Sequence, residues 1–173
     1  MPSQPSLRPF DVAVALRLLL VPEDRYEPLA AALATSTSAV HRSVARLQQA
    51  GLCEPGSRTV NRAACREFLA HGVRFAFPAV HGPERVGMPT AGTHPALEVL
   101  FAEGHRMPTL VWPMEGGTAR GGTLVPLFNG LTKVAARDER LHHLLACVDV
   151  IRVGNGVQRA MAVEVLDHRV FAA

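Results

Sequence analysis

Between Leu29 and Leu52 the chain reads as a leucine and alanine helix, a run of small hydroxylated residues (Thr35-Ser36-Thr37-Ser38), and a second helix closed by glycine. Leu29 and Leu33 stand four apart, which predicts a short helix over Tyr26–Ala34. Val40, Val44 and Leu47 then share one face of a helix over Thr37–Ala50, with Thr35 and Ser36 as a turn that caps it and Gly51 as the glycine that stops it. Upstream, Val12, Leu16, Leu19 and Leu20 recur at helical spacing over Phe10–Leu20, and Pro22 ends that helix. Three helices this close together must pack on one another, because none can bury its apolar stripe alone.

The continuation is equally specific. Leu52–Asn61 carries a Pro55-Gly56-Ser57 turn between two short segments that can pair as a hairpin. Asn61 can cap a fourth helix over Arg62–Ala70, Gly72 terminates it, and the alternation of Val73, Phe75 and Phe77 predicts a strand.

Once Val40, Val44 and Leu47 face inwards, Ser36, Thr37, Ser38, His41, Arg42, Ser43 and Arg46 are left for the cap and the outer faces. The charge on this part of the chain is one-sided. The whole protein carries 18 Lys plus Arg against 15 Asp plus Glu. Residues 1–75 hold nine arginines against six acids, and Thr37–Arg66 five against one, Glu54. A local basic surface of this kind suits a phosphate backbone, since each neutralised phosphate releases condensed counterions. The plainer alternative is a solvated arginine face on a helical core. A helix on a rigid support fits a major groove; Arg42 can address guanine O6 and N7, Arg46 a phosphate, and Ser36 and Thr37 a phosphate at the positive helix end. Arg58 and Thr59 on the hairpin can reach the backbone or a minor groove.

The stretch Leu29–Leu52, with its leucine and alanine helix, small polar turn, second helix and closing Leu52 after Gly51, resembles the helix-turn-helix of bacterial winged-helix transcription regulators, in particular the MarR-like group. The likeness covers Phe10–Asn61, about a third of the chain. It implies a winged helix-turn-helix DNA-binding domain over residues 1–77, binding of double-stranded DNA, and a homodimer whose two reading helices enter successive major grooves. Ala34 departs from the glycine often found in that turn, so the turn is expected to avoid a positive φ there.

The remainder, residues 78–173, predicts a small α+β lobe with C-terminal helices, which makes the fold class α+β and mainly helical. Pro78–Pro95 reads as a loop or linker. Ala96–Ala102 can form a short helix, and Thr109–Pro113 and Thr123–Leu127 can form strands joined around Gly116-Gly117 and Gly121-Gly122. Thr132 can cap one long helix over Lys133–Val153; Gly154-Asn155-Gly156 interrupts it, and a last helix carries Met161, Val165 and Val170. The apolar stripes of these C-terminal helices are a candidate dimer surface. Met1–Pro9 reads as a loose arm.

Other chemistries find little support. Glu115–Gly122 is glycine-rich but lacks the lysine and hydroxyl residue of a phosphate-binding loop, and no HExxH or GxSxG arrangement occurs, so an enzyme is not expected. His143 and Cys147 stand four apart on a helix, a chelating spacing without further ligands nearby, so neither a metal nor a cofactor is expected. Cys53, Cys65 and Cys147 are expected to be reduced core residues. Trp112, Pro113 and Phe128 read as a core anchor, with an effector-pocket lining as the alternative. The apolar run Val12–Val21 is interrupted by Arg17 and too short for a membrane span, and no leader pattern is visible, so a cytoplasmic location is expected. The competing functional class is an antitoxin-like or adaptor protein, whose C-terminal lobe holds a partner protein encoded nearby while the winged helix autoregulates its operon. RNA binding is weaker, since no aromatic stacking platform accompanies the arginines.

Overall fold

The computed structural model describes residues 6–102 and 104–172, and the fold is α+β and mostly helical. The arm expected over Met1–Pro9 lies outside the described residues as far as Pro5, and Pro9 already opens α1 (Pro9–Leu20). This helix is buried almost all round, from Asp11 to Leu16 without a break and again at Leu18 and Leu19. It packs against α3 and α8 and touches α2 (Tyr26–Ala32). The helix α3 (Thr37–Gln49) buries Val40, Ser43, Val44 and Leu47, and Ser36 caps it by accepting from the Ala39 N–H at 3.2 Å. The turn between α2 and α3 does not avoid a positive φ: Ala34 sits at +49°. An L-residue there costs about 1–2 kcal/mol that glycine escapes, offset in part by glycine's greater freedom when unfolded. Ala34→Gly is therefore expected to raise stability by about 0.5–1 kcal/mol in a urea titration; a loss would mean the turn is not held as described.

The hairpin segment forms one antiparallel bridge, Cys53 with Val60, flanked by backbone bonds from Glu54 to Thr59 and from Asn61 to Leu52. Asn61 then caps α4 (Arg62–Glu67) through the Ala64 N–H. Gly72 does not end this helical run. A π-helical turn at Phe68–Gly72 carries it into α5 (Val73–Ala76), so the strand predicted over Val73–Phe77 is helix. The alternation there is fortuitous: Val73 is buried, while Phe75 is 70 % exposed.

Beyond Pro78 the expected loop holds the longest strand, β1 (His81–Thr90), followed by a 3-10 turn (Ala91–Thr93) and α6 (Pro95–Glu98). Two shorter strands, β2 (Leu110–Pro113) and β3 (Ala119–Leu124), close a small barrel with it. Strand β1 runs antiparallel to both, Thr90 opposite Leu110 and Val86 opposite Arg120, while β2 and β3 pair in parallel at Leu110 and Gly122. Gly121-Gly122 therefore lies within a strand, and only Gly116-Gly117 lies in the connecting turn. The barrel draws its strands so close that a Cβ on Gly87 would overlap the Trp112 carbonyl, and one on Gly117 would overlap the Gly87 backbone.

The single long helix expected over Lys133–Val153 is two, α7 (Leu131–Arg137) and α8 (Glu139–Val153). Asp138 breaks them with an extended φ of −138°, caps α8 by accepting from Leu141 N–H, and pairs with Arg17 at 2.8 Å. Arg17 also holds Asp24, tying the end of α1 to this break. Asn155 caps α9 (Gly156–Leu166), which ends in a π-helical turn at Asp167–Phe171. Every residue of α8 from His143 to Ile151 is buried within the chain. Its apolar stripe is thus occupied by α1, α5, α7 and α9 and is not the free dimer surface that the sequence suggested. One hydrophobic core runs without a break from Val12 through Trp112 to Val170, across the division at residues 77 and 78.

Candidate nucleic-acid interface

The outer side of α3 is set by what its inner side must satisfy. Asp11, in the first turn of α1, is 1 % exposed. Its carboxylate accepts from Ser43 Oγ at 2.6 Å, from Arg46 Nε at 2.8 Å and Nη2 at 2.6 Å, and from the Arg8 backbone N–H at 2.8 Å. A buried carboxylate is tolerable only when paired and fully bonded, and α3 supplies the partners. Two sequence assignments are corrected by this arrangement. Ser43 is fully buried and cannot face a ligand, and Arg46 turns inwards to Asp11, with its side chain 18 % exposed, instead of outwards to a phosphate. The Asp11 hydrogen bond raises the Arg46 pKa further above its ordinary value.

What remains outside is smaller and better defined. Ser36, Ser38, His41 and Arg42 are exposed on the first two turns of α3, and Thr37 is half-buried. Ser38 Oγ lies 3.2 Å from Ser36 Oγ and 3.5 Å from Arg42 Nη1, so three of these side chains form one polar strip. The His41 ring stacks on Tyr26 with centroids 3.5 Å apart and planes at 20°. Arg58, from the hairpin, lies over the same Tyr26 ring at 4.8 Å and donates from Nε to the Asp24 carbonyl at 3.1 Å. Arg58 is therefore a brace between hairpin and α2, and Thr59 is left as the exposed hairpin residue among those the sequence nominated. Tyr26 was not singled out from sequence. Its signal was available, as the one tyrosine of the chain, placed at the start of a short helix.

The arrangement presents hydroxyls, an imidazole and a guanidinium from a rigid helix, with a hairpin fixed beside them by the Tyr26 contacts. The two thiols nearest this face are held protonated. Cys53 lies beneath the hairpin, where burial pushes its thiol up to about 11, and burial likewise holds Cys65 at about 12. Thiols so raised stay protonated and inert near neutral pH.

Away from this face, Cys147 is fully buried on α8, with its thiol pushed by burial up to about 12. His143 is buried, with no hydrogen-bond partner for Nε2 among the described residues, and His142 Nε2 lies 2.8 Å from the Pro89 carbonyl. Among the described residues no cluster of three or more His, Cys, Asp or Glu is arranged to hold a metal. Trp112 is wholly buried and belongs to the core. His94 stacks on His143 at 5.2 Å and meets His142 edge-on at 4.3 Å, and burial first, then these two neighbours, depresses its pKa to about 3. Burial is also the largest cause of the lowered pKa values of His142 and His143. All three bind protons more readily when unfolded, so their contribution to stability is complete above about pH 6.5 and is lost as the pH falls below it, for His94 down to about 3. At pH 5 the cost from His94 alone is expected to be about 2 kcal/mol. Urea midpoints at pH 7.5 and 5.0 should therefore fall less in His94→Asn than in the wild type, and parallel falls would refute the assignment.

A groove of about 600 Å³ runs between the α4–α5 segment and α9. Arg66 and Asp167 bridge its walls with contacts of 2.5 and 2.6 Å, and the exposed Phe75 lines it. A cleft of about 290 Å³ lies beside the first turn of α3, between Arg8, Arg42 and Asn129. No family model matches the chain, and no curated protein or solved structure is significantly similar to it.

Proposed function

We propose that this protein is a sequence-specific double-stranded DNA-binding transcription regulator, in which α1, α2 and α3 with the Leu52–Asn61 hairpin act as a winged helix-turn-helix. The observation that carries this reading is the division of α3. Val40, Ser43, Val44 and Leu47 lock it inwards, while Ser38, His41 and Arg42 stand exposed on a support stiffened by the Asp11–Arg46 pair. A helix held this firmly can enter a major groove without paying for its own ordering, and Arg42 is the residue placed to read guanine. Repression then follows from occupancy of a promoter. A homodimer on a palindrome, which the sequence suggested, needs a surface other than the α8 stripe.

The test is binding of the purified protein to its own upstream DNA against a scrambled duplex at several salt concentrations. Wild type is expected to prefer the native duplex, and Arg42→Ala to lose about 1–3 kcal/mol of that preference. Equal, salt-sensitive binding to both duplexes, unchanged in a folded Arg42→Ala protein, would remove the reading. Arg46→Ala is not a phosphate-contact variant, because its loss strips Asp11 of its counter-charge.

The second reading is an antitoxin-like adaptor. It draws on the open groove between α4–α5 and α9, with the 70 % exposed Phe75 on its lining. A co-transcribed neighbour that co-purifies with the wild type and is lost with Phe75→Ser would favour it.

A further inference from the structure

We infer that the cleft between Arg8, Arg42 and Asn129 seats a backbone phosphate of the DNA duplex, so that the loop following β3 takes part in DNA binding; this rests on the reading of α3 given above. The first argument is charge. The cleft is lined by Arg8, Arg42 and Arg46 and by no carboxylate; Asp11, outside the lining, is the partner of Arg46 alone among these three side chains. Arg8 and Arg42 have no carboxylate partner among the described residues. The other clefts contain their own acids: Glu164 and Asp167 in the large groove, Glu84 and Glu115 at the barrel edge, Glu67 beside α4, and Asp11 itself in a small cavity under α1. Of these five clefts this one has the largest surplus of positive charge, since the large groove sets Arg66, Arg74 and Arg159 against its two acids.

The second argument is construction. Phe10 and Phe128 meet edge to face at 5.1 Å and 83°, pinning the loop after β3 against the start of α1. Asn129 is thereby carried to the cleft, exposed and with an amide able to donate. Thr35 and Ala39 line the opposite side, flanking the first turn of α3, where Ser36 occupies the Ala39 N–H and the positive end of the helix faces the cleft. Two guanidinium groups, an amide and a helix start surround a space of about 290 Å³, which admits a tetrahedral anion together with bridging waters.

A duplex, unlike a free anion, reaches beyond the cleft. Arg42 belongs both to this cleft and to the outward strip of α3, so an anion in the cleft is continuous with whatever lies against that strip. A phosphodiester flanking the groove that α3 enters meets both conditions at once. Arg8 and Asn129 position the duplex and carry no sequence information.

The experiment measures the affinity of the full chain for native and scrambled duplexes across a salt series, for wild type, Arg8→Ala, Asn129→Asp and Arg42→Ala, with melting curves to show that each is folded. Arg8→Ala is expected to weaken both duplexes by the same factor and to lower the slope of log K against log salt by about 1, with the preference between them intact. Asn129→Asp, which adds a like charge to the phosphate, should weaken both equally as well. If Arg42→Ala abolishes the preference while Arg8→Ala and Asn129→Asp change neither affinity nor slope, the DNA reading stands and the phosphate seat is overturned. If wild type itself shows no preference, both fall. A parallel titration with inorganic phosphate, followed by the Thr35 and Asn129 amide resonances, identifies a free-anion site: saturation there with duplex binding indifferent to Arg8→Ala would also overturn the assignment.

Discussion

Asp149→Ala is expected to cost about 3–5 kcal/mol of folding stability, because it leaves a buried guanidinium without its counter-charge. Asp149 is fully buried on α8. Its carboxylate accepts from Thr90 Oγ1 of β1 at 2.8 Å, from Trp112 Nε1 of β2 at 2.8 Å and from Arg152 Nη1 at 2.7 Å. Arg152, 4 % exposed, donates onwards to the carbonyls of Phe77 at 2.8 Å and Pro78 at 3.1 Å. Burial pushes the Asp149 pKa upwards, against the opposing pull of Arg152 and the hydroxyl and indole donors. Removing the carboxylate strands three donors at once, one of them charged. Asp149→Asn keeps acceptors for Thr90 and Trp112 but not the charge, and should be nearly as costly. The check is urea denaturation followed by far-UV circular dichroism, since Trp112 fluorescence changes with the partner it loses. A loss below about 1 kcal/mol would show that water reaches Arg152 and that the network is not sealed.

Gly87→Ala is expected to cost about 3 kcal/mol or more, for a different reason. The added Cβ would lie within the Trp112 carbonyl on β2 and 3.0 Å from Val111 Cβ, while Gly117 presses on the Gly87 backbone from the connecting turn. No rotamer relieves a clash at Cβ, so β1 and β2 must part. Gly122→Ala is the matched control on the same barrel: its nearest neighbour would be Leu110 Cδ2 at 3.6 Å, an ordinary contact. The near-ultraviolet signal of Trp112, the one tryptophan of the chain, should collapse with Gly87→Ala and persist with Gly122→Ala. Equal retention in both would mean that the barrel is looser than its strand register indicates.

The helices of the N-terminal half were legible because each signal was local. Leu29 with Leu33, the Ser36 and Asn61 caps and the Pro55-Gly56-Ser57 turn all act within a few residues of themselves. Strand β1 was invisible for a physical reason: six of its residues, His81 to Val86, are exposed, so it lacks the alternation that marks a strand resting on a core. The break at Asp138 was missed because Lys133–Val153 keeps helical periodicity on both sides of it, which masks a local cap on Leu141 N–H that the distant Arg17 reinforces. The same holds within the candidate interface. Ser43 and Arg46 fall on the polar side of α3 by periodicity, and the residue that calls them inwards, Asp11, is an ordinary first-turn acid until α1 and α3 are packed together. Arg8 and Asn129, more than a hundred residues apart, share a cleft only through Phe10 and Phe128.

Helix α8 gives the chain an indivisible character. It lies against α1 and α5 from one half and against β1, α7 and α9 from the other, while the Arg152 guanidinium clasps the backbone at the junction itself. Cut after Phe77, the first half would expose the faces of α1 and α5 that α8 covers, and the second would leave Asp149 and Arg152 open to water. The N-terminal helices are therefore not a unit that can be cut away from the barrel and the C-terminal helices with its packing intact.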